Sequence, residues 1–292
     1  MINSEWVSAF VTFADTLNFT HAAARLHISQ PALHVQIRKL GEALGARLYV
    51  RQGRSLSLTT EGRRVLAFGR EQAEQSAQLL DELRGAARDE SVVLAAGEGT
   101  LLHLLSEPLR VFQRSRIGRL RVLTLDRDRA LNAVLLGEAH LAVTVIDETP
   151  PGIVARRVKR VGAAVVMPKA HPLARRRSLT VRDLRDQALI APPAGRPLRA
   201  TLAQAWAAAD LPWPAVVEAS GWDLMMRFAE LGMGLAVVND FCSPPRGMLK
   251  RPLKGLLPVQ YQLLRLRDRK PSGAVLALEA AIVSCSQASQ SR

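Results

Sequence analysis

His21–Leu40, HAAARLHISQPALHVQIRKL, is the stretch on which the fold turns. Two helical spells, HAAARL and PALHVQIRKL, are separated only by HISQ, and the second carries Val35 on a side that should meet water. Thr20 stands where an N-cap for the first spell belongs and Ser29 where one for the second belongs. Pro31 falls in the first helical turn, where a missing N–H costs nothing. Leu33, Ile37, Leu40 and Leu44 share one face of the second spell, because spacings of three and four keep residues together on a helix. Pro31, Val35 and Arg38 lie opposite that stripe, flanked by His34 and Lys39. A helical hairpin inside a core would be apolar on both faces. A braced helix with a polar free face is what a major groove accepts.

Outward from this pair the pattern continues. Trp6, Phe10, Phe13, Ala14 and Leu17 recur at helical spacing ahead of it. Behind it Gly45 suits a helix stop. LYVRQGRSLSLT then alternates around Gln52-Gly53 as a hairpin would. Thr59 or Thr60 caps a long helical stretch running to about Arg88. Three helices and a hairpin make a winged helix-turn-helix. In the long helix Leu66, Gly69, Ala73, Ser76, Leu80, Leu83 and Ala87 alternate at three and four, a heptad seam. Its small members suit either a helix lying on its own domain or one paired with a second chain.

The whole chain has 292 residues, 48% of them hydrophobic, enough for two packed domains. MINSEW lacks the basic and apolar regions of a signal peptide, and no uncharged apolar run reaches the length of a membrane span. Cys242 and Cys285 show no C-x-x-C spacing, which fits a cytoplasmic protein with two inert thiols better than a disulfide framework or a zinc site. The formal charge of +14 is unevenly placed: residues 1–90 carry 11 Lys+Arg against 10 Asp+Glu, so nearly all the excess lies beyond residue 90. It therefore does not mark the helix-turn-helix. A solvated arginine-rich face explains it more simply than an acidic partner does.

The run NFTHAAARLHISQPALHVQIRKLGEALGARLYVRQGRSLSLTTEG resembles the DNA-binding domain of LysR-type transcriptional regulators. The shared features are A-A-x-x-L, S-Q-P-A-L, I-x-x-L and L-G-x-x-L, then L-x-x-R-x-x-R, L-T and Gly62. The family often has serine and arginine after P-A-L, where this chain has His34 and Val35. The resemblance implies that Thr20, Ser29, Gln30, Pro31, His34, Val35 and Arg38 lie at or beside the groove, with Arg51 and Arg54 on the wing near the DNA backbone. Val35 can then pack on a thymine methyl or simply fill space against a sugar. The resemblance also makes the long helix a dimerisation element, through Leu66, Ala73, Leu80 and Leu83. Paired units imply a roughly palindromic operator in double-stranded DNA and a homodimer or homotetramer, with RNA polymerase as a further partner.

From Val92 onward VVLAA, RLRVLTL, HLAVTV, GAAVVMP, ALIA and GLAVVN read as buried strands alternating with helices, so the chain is α/β overall with parallel strands expected. It returns near 259–266 and closes with an apolar helix. GEAHLAV, MPKAHPLARRRSLTVRDL and FAELGMGLAVV resemble the family's effector domain, a two-lobed module like a type 2 periplasmic binding protein. The expected organisation is residues 1–59 for the winged helix-turn-helix, 60–90 for the linker helix and 91–292 for effector binding. Lobe I spans 91–161 with 267–292, and lobe II spans 162–266.

Ligands in open α/β sheets bind beyond the carboxyl ends of strands. That rule selects Glu98, Gly99, Thr100, Asp126, Asp147, Pro192, Arg196, Ser220 and Trp222. Thr100 and Ser220 sit beside helix starts, where anions are held. Family members often have serine or threonine where Glu98 stands. With Asp147, Glu98 would repel a carboxylate unless Arg196 or Arg199 reaches in. Trp222 suits stacking on a planar ligand or packing on its lobe.

No G-x-S-x-G, H-E-x-x-H, G-x-x-x-x-G-K-[ST] or G-x-G-x-x-G after a strand occurs. No metal or cofactor is expected. The alternatives to a regulator are a binding-protein-fold enzyme fused to a helix-turn-helix, which lacks reactive residues here, and a transport receptor, for which an export signal is missing.

Overall fold

The computed structural model describes residues 3–53, 55–83 and 90–288. The chain begins with α1 (Ser4–Thr16), α2 (Phe19–Arg25) and α3 (Gln30–Leu44), followed by the antiparallel hairpin β1 (Tyr49–Gln52) and β2 (Ser55–Leu58) and the long helix α4 (Thr60–Leu83). Asn18, not Thr20, caps α2: its Oδ1 accepts from the backbone N–H groups of Thr20 and His21. The helix therefore starts two residues earlier than expected, and the Thr20 hydroxyl is free to bond the Gln30 side chain at 3.2 Å, tying α2 to α3. Ser29 caps α3 by accepting from Ala32 N–H, and Gly45 ends it at φ +63°. The short turn between α2 and α3 places His27 at φ +55°, a left-handed conformation that histidine adopts more readily than branched residues. Phe10, Phe13, Leu33, Ile37 and Leu40 are fully buried in one core, each contributing about 1.5–3 kcal/mol.

The N-terminal half of α4 belongs to that core. Leu66 is 1% exposed within it, and a Cβ on Gly69 would stand 2.6 Å from the Val11 side chain. The expectation that Leu66 serves a dimer seam is thus corrected, because α1 occupies its face. Gly62 lets α4 cross the start of the wing, since a Cβ there would meet Leu48 O at 1.8 Å. Farther along, Ala73, Leu79, Leu80 and Leu83 are exposed. Ala87 and Arg88 lie outside the described residues.

The effector region contains β3 (Ser91–Ala96), α5 (Ser106–Ser115), β4 (Arg119–Thr124), α6 (Arg127–Leu135), β5 (Leu141–Val145), β6 (Ile153–Val161) and β7 (Ala163–Pro168). There follow β8 (Leu189–Ala191), α7 (Pro197–Ala208), β9 (Ala215–Glu218), α8 (Trp222–Glu230), β10 (Leu235–Asn239), β11 (Met248–Leu253), β12 (Val259–Leu266) and α9 (Gly273–Ala288). They form two five-stranded sheets, ordered β4-β3-β5-β12-β6 and β11-β7-β10-β8-β9. Each sheet has apolar clusters on both faces, so the lobes are three-layered.

Two expectations are corrected here. The sheets are mixed: β3, β4 and β5 run parallel, but β12 is antiparallel to β5 and β6, and β7 is antiparallel to β10 and β11. Residues 259–266 belong to lobe I rather than lobe II, because β12 fills the gap between β5 and β6. The chain therefore crosses between lobes at Gly162 and again between β11 and β12.

Candidate DNA-reading face and ligand cleft

Gln30, Pro31, Val35 and Arg38 are exposed on α3 opposite Leu33, Ile37 and Leu40, which are buried. Val35 is 40% exposed. Arg38 is held loosely by Glu42 one turn on, at 3.5 Å. His34 is also exposed, but its ring lies flat on Phe19 with centroids 3.6 Å apart, so one of its faces is already occupied. On the wing Arg51 Nε donates to Gly53 O at 3.1 Å, bracing the hairpin turn. Arg54 lies outside the described residues.

Between the lobes lies a cleft of about 380 Å³. Glu98, Gly99 and Thr100 line it from the end of β3, and Asp126 from the start of α6. Pro192 and Arg196 line it from the loop after β8, and Ser220 and Trp222 from the start of α8. Asp147 does not line it, because Arg127 holds it in an ion pair at 2.5 Å. Arg199 is withdrawn as well: it stacks on Trp213 at 3.7 Å and faces Glu218. Trp222 is a wedge between lobes rather than an open stacking platform. Its indole presses on Gly99, where a Cβ would come within 2.0 Å of Cδ1.

The cleft floor was not foreseen. Asn239, 2% exposed at the end of β10, donates from Nδ2 to the Tyr261 hydroxyl at 2.9 Å, joining a lobe II strand to a lobe I strand. Burial pushes the Tyr261 phenol up to about 12, against hydrogen bonds from Thr100 and Asn239, so it stays a neutral hydroxyl. Asn239 ends a recognisable strand, but Tyr261 is identifiable only once β12 is placed in lobe I. His103 and Asp223 add a second bridge between lobes, 3.1 Å apart.

A polar junction joins α4 to lobe I. Arg70 reaches Asp15 of α1 at 2.6 Å and, in the effector domain, Leu136 O at 2.6 Å and Glu138 at 3.3 Å. Glu74 meets Arg269 and the His140 ring. Val93 N–H donates to His140 Nδ1 at 2.9 Å, so the ring turns Nε2 toward Glu74 and Arg269. Burial opposes ionisation of Glu74, but His140 and Arg269 outweigh it and hold the carboxyl below its usual range.

Cys242 is not poised for chemistry: it is fully buried, and burial pushes its thiol up to about 12. Among the described residues no three His, Cys, Asp or Glu side chains gather as metal ligands would, and no helix is long and apolar enough to cross a membrane.

A helix-turn-helix joined by one long helix to a two-lobed cleft defines a DNA-binding regulator with a ligand-binding module. Residues 4–63 match the family described as bacterial regulatory helix-turn-helix protein, lysR family, and residues 86–284 match the LysR substrate binding domain. The chain belongs to the LysR family of transcriptional regulators; it binds DNA and carries an effector-binding domain. The HTH-type transcriptional regulator XapR of Escherichia coli K12 is 25% identical over 262 residues, 87% of this chain and 89% of XapR. Among solved structures, ArgP from Mycobacterium tuberculosis superposes with a TM-score of 0.73 at 18% identity, covering 98% of both chains. Full-length CbnR complexed with its target DNA superposes with a TM-score of 0.57 at 20% identity, covering 98% of this chain and 99% of CbnR. Such relatives are regulators, and this protein is a regulator rather than an enzyme.

Proposed function

We propose that this regulator reads a roughly palindromic operator as a cytoplasmic homodimer or homotetramer, using Gln30, Val35 and Arg38 at base edges and Arg51 at the backbone. A small molecule in the interlobe cleft then alters the DNA-bound state, and with it contact to RNA polymerase. The observation that carries this reading is the exposed strip Gln30–Val35–Arg38 on a helix whose opposite face is buried. Thr20 bonds Gln30 Oε1, which presents the amide in a fixed orientation suited to adenine. Effector control follows from differential affinity for two arrangements of the lobes.

The test is binding-site selection with purified variants at two salt concentrations. Gln30→Ala should cost roughly 1–3 kcal/mol and relax one adenine position in each half-site. Val35→Ala should cost about 1 kcal/mol and relax a neighbouring thymine. Arg51→Ala should weaken all sequences alike and flatten the salt dependence by about one phosphate contact. An unchanged selected site for both helix variants refutes the assignment of α3 residues to base reading.

A further inference from the structure

We propose that the cleft takes a zwitterionic effector, one bearing a carboxylate and a protonated amine together, as a free amino acid does. The proposal rests on the cleft being the effector site. The charges in its lining point there. Arg127 is neutralised by Asp147, leaving Arg129 and Arg196 against Glu98 and Asp126. Asp126 spends one oxygen on the backbone N–H of Arg129, capping α6. Among the described residues none of these four has an ion-pair partner. Two cations and two anions thus line one open cleft, and their sum is zero.

A simple carboxylate would satisfy Arg196 while meeting Glu98 and Asp126 as like charges across the cleft mouth. A simple amine would reverse the fault. The poles are also separated. Arg196 lines the cleft from the loop after β8, whereas the Glu98 carboxylate enters from the end of β3.

A second, independent observation concerns hydrogen bonding. Asn239 lines the floor and is 2% exposed, and its Oδ1 has no protein partner. A buried carbonyl oxygen is stabilised by a donor, and an ammonium group supplies three. Thr100 and Ser220 add hydroxyls on the two lobes, while Val143, Val145 and Val259 provide an apolar wall for a side chain. A volume of about 380 Å³ suits a small metabolite.

The experiment is calorimetry on the full-length protein with the common L-amino acids. Any that bind are followed by the matching acid without the amine and the matching amine without the carboxylate, for example L-leucine, 4-methylpentanoate and 3-methylbutylamine. At least one amino acid should bind, with both truncated partners weaker by roughly tenfold or more. Glu98→Gln should narrow the gap between the amino acid and its des-amino acid, and Arg196→Gln the gap to the amine. Both side chains sit at the cleft surface, so circular dichroism and operator binding should stay as in the wild type. A carboxylic acid or amine binding the wild type as tightly as the amino acid overturns the zwitterion while leaving the cleft as the site. Failure of every amino acid to bind a protein that still binds its operator likewise overturns the zwitterion, whereas an amino acid whose affinity is unchanged in both Glu98→Gln and Arg196→Gln overturns the cleft reading.

Discussion

Replacing Leu80 and Leu83 together by aspartate tests whether the outer half of α4 holds two chains together. Leu80 is 51% exposed and Leu83 76% exposed in the single chain. Pairing with a second copy would therefore recover about half of one leucine's burial energy and three-quarters of the other's. At about 2 kcal/mol for a whole leucine, that is about 2.5 kcal/mol per chain and about 5 kcal/mol per symmetric pair. The loss corresponds to a dimer weakened between about a thousandfold and ten-thousandfold, before the cost of burying aspartate is added. Sedimentation equilibrium reads it directly, as collapse to the 31.9 kDa monomer with loss of operator binding. Leu66→Ala is the contrasting variant. Leu66 sits inside the helix-turn-helix core, so its truncation should cost about 2–5 kcal/mol of domain stability and leave association intact at temperatures where the domain is folded. An unchanged dimer in the double aspartate variant refutes the interface. So does a folded Leu66→Ala protein that is monomeric.

Gly62→Ala places a methyl group against the Leu48 carbonyl with backbone on both sides, so α4 must shift off the wing; denaturant unfolding should show a loss of about 1–3 kcal/mol. An unaltered midpoint would show that the crossing is not tight. Glu74→Gln should loosen α4 from lobe I at neutral pH, seen as faster hydrogen exchange around Leu136–His140. Because the folded-state pKa of Glu74 is depressed, its stabilisation is present above the ordinary glutamate range and disappears as pH falls through the depressed value. The difference between wild type and variant should therefore vanish in acid, and a difference that persists there would assign the effect to packing.

The helix-turn-helix was legible because its signals are local: caps, proline and glycine at helix ends, and a stripe of period 3.6 on α3. What failed there failed for tertiary reasons. Asn18 outcompetes Thr20 as a cap because its amide oxygen reaches two backbone N–H groups at once. Leu66 and Leu80 share a heptad frame, yet only contact with α1 separates the one that is buried from the one that is not. In the effector region six apolar strands stood out, whereas β6 carries Arg156, Arg157, Lys159 and Arg160 along a sheet edge and hid itself in charge. The placement of β12 depends on a crossing of the chain, which no local pattern encodes, and Tyr261 was lost with it. Eight of the nine cleft residues expected from strand ends do line the cleft; Asp147 departs because a neighbouring arginine offered it a partner.

The routes out of the cleft are not equivalent, and the difference bears on how a ligand can affect DNA. Among the described residues, every hydrogen bond and ion pair from α4 to the effector domain goes to lobe I, at Leu136, Glu138, His140 and Arg269. Arg70 makes its contact to lobe I with the same guanidinium that binds Asp15 of α1, so lobe I, α4 and the DNA-reading helices are tied as one block. Lobe II is joined to that block by two chain crossings and by links that include the Asn239–Tyr261 bond, the His103–Asp223 pair, Trp222 against Gly99 and Phe241 against Tyr261. Closure around a ligand would therefore move lobe II against everything else. Within a single chain such a motion would leave α3 where it was, because among the described residues no hydrogen bond or ion pair runs directly from lobe II to the helix-turn-helix. It acquires a consequence for DNA when lobe II meets another copy of the chain. Shifting lobe II then alters the angle between two blocks and hence the distance between two recognition helices. On this geometry effector response and self-association are one requirement, and a monomeric variant that still binds its ligand should have no means of reporting it.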